Sequence, residues 1–119
     1  MKQGWVRPYA ALLGASGIAA AAFGAHGLEK LTDSQGIRWW AIGAAIQLAT
    51  APVVLWSERL VRDSRLGSIP ALLLAAGVAL FSGSLYALAL GAPRLLGAVT
   101  PFGGLFLIAG WLSLAWPSH

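Results

Sequence analysis

The chain has 119 residues, 58% of them hydrophobic and 10% charged, with a mean hydropathy of +0.74. A soluble domain carries about 25% charged residues, so this composition excludes an ordinary water-exposed surface and fits one that faces lipid. The absence of Cys excludes disulfides, thiolate metal sites and cysteine nucleophiles. The net charge of +4 is spread over short breaks with no basic run to suit nucleic acid, so anionic lipid headgroups are the expected counter-charge.

A spanning helix needs about 20 mostly apolar residues, because the hydrocarbon core is about 30 Å thick and a helix rises about 1.5 Å per residue. After a basic lead with Lys2, Trp5 and Arg7, Pro8 suits a first helical turn, where its missing N–H is harmless. The uncharged run Pro8–Ala25 is longer than a usual signal-peptide core and is expected to be retained as the first span. A polar break follows over residues 26–38, in which Thr32 and Gln35 have capping-box spacing and start a helix near Asp33. Trp39–Ser57 is the second span, with Gln47 and Thr50 inside it and Pro52 predicted to kink it near Leu48.

Glu58–Arg65 holds three Arg and two acids and reads as the most charged loop. Ser68 and Pro70 then read as N-cap and first-turn residue of the third helix. Leu66–Pro93 and Leu95–Ser118 have no charged side chain, and only Arg94, in the break Gly91–Arg94, divides them. These two runs form a transmembrane hairpin. The whole chain is therefore expected to be one all-α domain, residues 1–119, an integral membrane bundle of four helices over about 8–25, 39–57, 69–91 and 95–116.

Four spans place both termini on one side. That side carries Lys2, Arg7, Arg59, Arg62 and Arg65, and the other carries Lys30, Arg38 and Arg94. Five against three makes the termini cytoplasmic by the positive-inside rule. Trp5, Trp56 and Trp116 fall at the inner interface of this layout and Trp39 and Trp40 at the outer one, as an aromatic belt would.

Lipid is as apolar as the side chains it surrounds, so close backbone packing has to hold such helices together. Small residues recur every four positions at Ala79, Gly83, Ala87 and Gly91, and at Ala41, Ala45 and Ala49. Gly83, Gly97 and Gly104 are the candidate packing positions, because a Gly inside a helix costs about 1 kcal/mol relative to Ala. Gly83→Leu is expected to disturb assembly.

No Asp, Glu, Lys or Arg lies inside a span, which argues against proton relay or ion coupling. Two histidines, His26 and His119, supply no metal set and no haem pair, so no metal and no cofactor is expected. Ser82 and Ser84 have no base with an orienting carboxylate, so no catalytic residues and no enzyme activity are expected. The remaining polar groups gather in the outer half: Gln47 lies eight residues from Trp39, roughly 12 Å deep at about 1.5 Å per residue. Ser82 and Tyr86 share a face at i, i+4, and Thr100 lies at similar depth. Mutual satisfaction across helices is their expected role, and a small polar pocket of His26, Gln47, Ser82, Tyr86 and Thr100 is the sharper alternative. For His26 the expectation is an anchor from the first helix end to Tyr86 or Thr100, ahead of a simple C-terminal cap.

The motifs Ala22-Phe-Gly-Ala-His-Gly-Leu28, Phe81-Ser-Gly-Ser-Leu-Tyr86 and Leu96-Gly-Ala-Val-Thr-Pro-Phe-Gly-Gly104, the last followed by Gly110-Trp111, resemble one family. It is the YgdD-like, transmembrane-protein-256-like family, catalogued as a domain of unknown function, and the resemblance covers roughly residues 14–114. It implies a small four-helix, multi-pass protein of the bacterial inner membrane, and brings no activity with it. The family commonly carries Gln-x-x-His in the second helix. Here Gln47 is followed at that spacing by Thr50, so a role resting on that histidine does not carry over.

The function expected from these residues is non-enzymatic: a helix-packing oligomer or an accessory subunit, whose partners are membrane lipid and either its own copies or another membrane protein. A channel or carrier for a small neutral solute or lipid, using the outer-half polar groups, is the alternative. An enzyme acting on lipid trails both for want of a triad or metal site.

Overall fold

The computed structural model describes residues 4–63 and 65–115, with residues 60–63 described by their helical backbone alone. The expectations placed on Lys2, the Arg62 side chain, Trp116 and His119 lie outside the described residues.

Four helices follow one another: α1 (Val6–His26), α2 (Ser34–Asp63), α3 (Ile69–Ala89) and α4 (Val99–Ser113). A 3₁₀ turn at Leu28–Lys30 links α1 to α2, and another at Arg94–Ala98 leads into α4. With that turn included, the last span is Arg94–Ser113, and all four segments are long and apolar enough to cross a membrane.

Local chemistry sets the ends. Asp33 caps α2, its Oδ1 accepting from the Gly36 N–H at 2.9 Å. Thr32 is therefore not the cap; a side chain at Gly36 would collide with Thr32, which is why Gly stands in this first turn. Ser68 occupies the N-cap position of α3 with Pro70 in its first turn, but the Ser68 side chain makes no cap bond. At the other end, Gly91 adopts φ +104, a left-handed conformation that lets the Ala92 N–H turn back to the Ala87 carbonyl at 2.9 Å.

α2 departs most from the expected spans. It runs for 30 residues, roughly 45 Å at about 1.5 Å per residue, and is assigned as unbroken α-helix through Pro52. The charged stretch expected to be a loop instead forms its last turns as far as Asp63. Its sequence accounts for this: residues 53–63 contain neither Gly nor Pro, so nothing in them stops a helix that has left the hydrocarbon.

The helices pack in chain order, with α2 between α1 and α3, and α3 between α2 and α4. α1 and α4 each have one extensive helical neighbour, so the assembly is a row folded on itself and not an evenly closed ring. At the end where the N-terminus of α1 meets the C-terminus of α2, Val6, Ala10, Val54, Ala71, Leu74, Val78 and Leu107 join in one buried cluster drawn from all four helices. At the opposite end, Leu28 of the first 3₁₀ turn is buried with Trp40 and Ala89.

Glycine makes these contacts close, at positions other than those expected. A Cβ on Gly103 would stand 2.8 Å from the Phe81 Cα and 2.9 Å from the Gly77 carbonyl oxygen, and one on Gly77 would stand 2.8 Å from the Leu107 nitrogen. Gly110 meets Leu74 in the same way, so α3 and α4 touch backbone to backbone. Gly17 receives Leu48, and Gly24 receives the Trp40 ring. Gly83 faces open space with nothing within 4 Å of its Cβ position. Gly97 and Gly104 have only ordinary contacts, at 3.8 Å from Leu88 and from Phe81. The four-residue stripe on α3 thus lies on its uncovered side, and the packing line of α4 is Gly103, Leu107 and Gly110.

Candidate functional site

Gln47 is the hub of the polar interior. It lies midway along α2 with 5% of its surface exposed, where an amide without partners would be costly. Its Nε2 donates to the Leu13 carbonyl at 2.8 Å and to Ser16 Oγ at 2.7 Å, both on α1. Its Oε1 accepts from the Tyr86 hydroxyl of α3 at 2.6 Å. Ser16 Oγ in turn donates to the Leu12 carbonyl at 2.7 Å. One amide therefore joins three helices, with its donors and its acceptor all engaged.

Neighbouring bonds surround this hub. Ser82 Oγ donates to the Gly43 carbonyl at 2.7 Å, and the Tyr86 ring lies over Gly43, where a Cβ would be 3.0 Å from it. Trp40 stacks at a tilt on Tyr86, with centroids 4.5 Å apart, and its indole N–H donates to the Ala20 carbonyl at 2.7 Å. Tyr9 bridges α1 to α3 by donating to the Ala75 carbonyl at 2.6 Å. Interhelical bonds of this kind are worth about 0.6–2 kcal/mol each in a membrane.

The structure unites three of the five residues expected to share a pocket. Gln47, Ser82 and Tyr86 line one laterally open groove of about 330 Å³ between α1, α2 and α3, together with Tyr9, Ser16, Ala79 and Gly83. Thr100 stands apart, its hydroxyl paired with Ser84 Oγ at 2.5 Å between α3 and α4. Ser82 and Ser84 are two residues apart on a helix, so they point to opposite neighbours. His26 is exposed at the end of α1. Neither proposed partner is available to it, since Tyr86 serves Gln47 and Thr100 serves Ser84, and the anchor is not formed.

Ser16, Tyr9 and Trp40 belong to this network although sequence alone did not place them there. Trp40 is only 9% exposed and turned inward, not part of an interfacial belt. The available signal was spacing: Trp40 and Gln47 stand seven residues apart on α2, which puts them on one face.

Comparison with known proteins adds the family. Residues 20–104 match the family described as "Protein of unknown function (DUF423)". The chain is 35% identical to a UPF0382 membrane protein of Haemophilus influenzae over 92% of each chain. It is 39% identical to the UPF0382 inner membrane protein YgdD of Escherichia coli K12, over 87% of this chain and 80% of that one. A third relative, the UPF0382 membrane protein YwdK of Bacillus subtilis, is 36% identical over 78% of each. No solved structure matches the chain. The four spans and the inner-membrane relative YgdD make this a multi-pass protein of the bacterial inner membrane. Matched over most of its length and carrying the motifs that first suggested the kinship, the chain belongs to the DUF423 family of YgdD-like membrane proteins.

Proposed function

We propose that this is a non-enzymatic membrane protein that acts by packing against further transmembrane helices, as an oligomer of its own copies or as an accessory subunit. The observation that carries the reading is the uncovered close-approach line on α3. Exposed Ala79 and Gly83 line an open groove, and a Cβ at Gly83 would meet nothing. A small-residue line at which backbones could approach is the surface that helix association in lipid uses. The test exploits the absence of cysteine. Gly83→Cys in native membranes should cross-link to a second copy or to a co-purifying protein, and adding Ala79→Leu on the same face should abolish that product. A monomer that captures no stoichiometric partner and gives no cross-link would rule the reading out.

The groove also supports a second reading, carriage of a small neutral solute or lipid, since Gln47, Ser82 and Tyr86 line it. The internal hydrogen bonds of all three weigh against it, because a passing solute would have to displace them.

The orientation belongs to the same proposal. Arg7, Arg59 and Arg65 are exposed at the end that holds the termini, against Lys30, Arg38 and Arg94 at the other, which supports cytoplasmic termini. Reporters fused at the C-terminus and inserted near Asp33 should then report opposite compartments, with the C-terminal one cytoplasmic.

A further inference from the structure

At the loop end of the molecule, the link between α1 and α2 faces the turn between α3 and α4 across a cavity of about 280 Å³. Its polar lining comes from Thr32, Asp33, Gln35 and Arg94, with Trp39 as one wall. Two opposite charges therefore front one cavity. Among the described residues neither has an ion-pair partner, and Arg94 makes no side-chain hydrogen bond. Asp33 gives one oxygen to the Gly36 N–H, and a carboxylate has further acceptor capacity on both oxygens. The C-terminal end of α3, at Leu88–Leu90, also lines the cavity and adds partial negative charge.

The rim is apolar. Leu31 and Leu90, 62% and 54% exposed, line the opening, and Leu95 beside Arg94 is 84% exposed. Trp39 stands five residues into α2, at the depth where tryptophans mark the headgroup layer. A polar lining with one cation and one anion, neither ion-paired among the described residues, beside apolar lips at headgroup depth, matches a molecule that is zwitterionic at one end and apolar at the other.

We propose that this cavity binds the headgroup of a zwitterionic phospholipid bearing a primary ammonium, with its phosphate on Arg94, its ammonium on Asp33 and Thr32, and its acyl chains against Leu31, Leu90 and Leu95. Arg94 can hold a phosphate by two parallel N–H donors. A primary ammonium offers three N–H donors to the carboxylate and hydroxyl, whereas a quaternary one offers none, and this sets the headgroup preference.

The test is native mass spectrometry of the full chain in mild detergent with equimolar phosphatidylethanolamine, phosphatidylcholine and phosphatidylglycerol. The wild type should retain the ethanolamine lipid over both others. Asp33→Asn keeps an N-cap of equal quality and should lower retention of the ethanolamine lipid roughly fivefold, the size of one part-exposed charge contact, without lowering that of phosphatidylglycerol. Arg94→Gln should lower both, and Arg38→Gln, a cation at the same end that does not line the cavity, should change neither. Equal retention of the three lipids by the wild type, or the same loss in Arg38→Gln as in Arg94→Gln, would overturn the proposal. Displacement of the lipid by free phosphoethanolamine at comparable concentration would overturn the assignment to a lipid, because the apolar lips would then contribute nothing.

Discussion

At the scale of single residues the molecule depends on Gln47. Gln47→Leu keeps the volume but removes two donors and one acceptor, leaving the Tyr86 hydroxyl without its partner, and should destabilise the protein by about 1–3 kcal/mol. Tyr86→Phe keeps the ring on Gly43 and Trp40 and should lose about 0.5–1 kcal/mol, because Gln47 retains its bonds to α1. Thermal unfolding of the two single variants and the double variant in detergent checks the pair; additive losses would show that the two side chains do not act together. His26→Asn should stay within about 0.5 kcal/mol of the wild type, as expected of an exposed side chain with no partner among the described residues. The importance of Gln47 was legible, since an amide inside an apolar run must find partners. Which partners it finds was not, because two of its bonds depend on the rotation of α1, and one of those two is to a main-chain carbonyl that no sequence pattern marks.

At the scale of the helices, glycine position decides which faces meet. Gly103→Ala should cost about 1–3 kcal/mol, because the added methyl would meet the backbone of Phe81 and Gly77, which cannot rotate away as a side chain can. Gly83→Leu should leave the stability of the single chain nearly unchanged, its effect confined to association. An unchanged melting temperature in Gly103→Ala would show that the α3–α4 contact is not as close as described, and a loss in Gly83→Leu that its face is covered within the single chain. The need for small residues could be read from the sequence, but the phase could not. Ala and Gly are so abundant here that several faces of α3 offer a four-residue stripe, and only the partner helix selects one. The overrun of α2 was missed for a different reason: charge marks departure from lipid, and departure from lipid does not require departure from helix.

At the scale of the whole molecule, the row arrangement makes α3 the most enclosed helix and leaves α1 and α4 at the flanks. Backbone amides of α3 should exchange with deuterium more slowly in detergent than those of α1, whose window is the least covered. Equal protection of the two would indicate that α1 is covered by something the single chain does not supply. Span number, hairpin order and solvent all followed from hydropathy and charge, because each is fixed by the bilayer's thickness. The row did not follow, since hydropathy says how deep a helix lies and nothing about its neighbours.

The bonds of Gln47 also bear on how the chain is built. Both acceptors of its amide lie on α1, the helix synthesised before its own. The first hairpin can therefore enter the membrane with those donors already matched, before α3 has left the ribosome. Tyr86 then arrives on the second hairpin as a donor to the one oxygen still unsatisfied. The order of synthesis and the order of hydrogen bonding coincide, so the nascent protein does not have to hold the bare amide in lipid while it waits for its third helix.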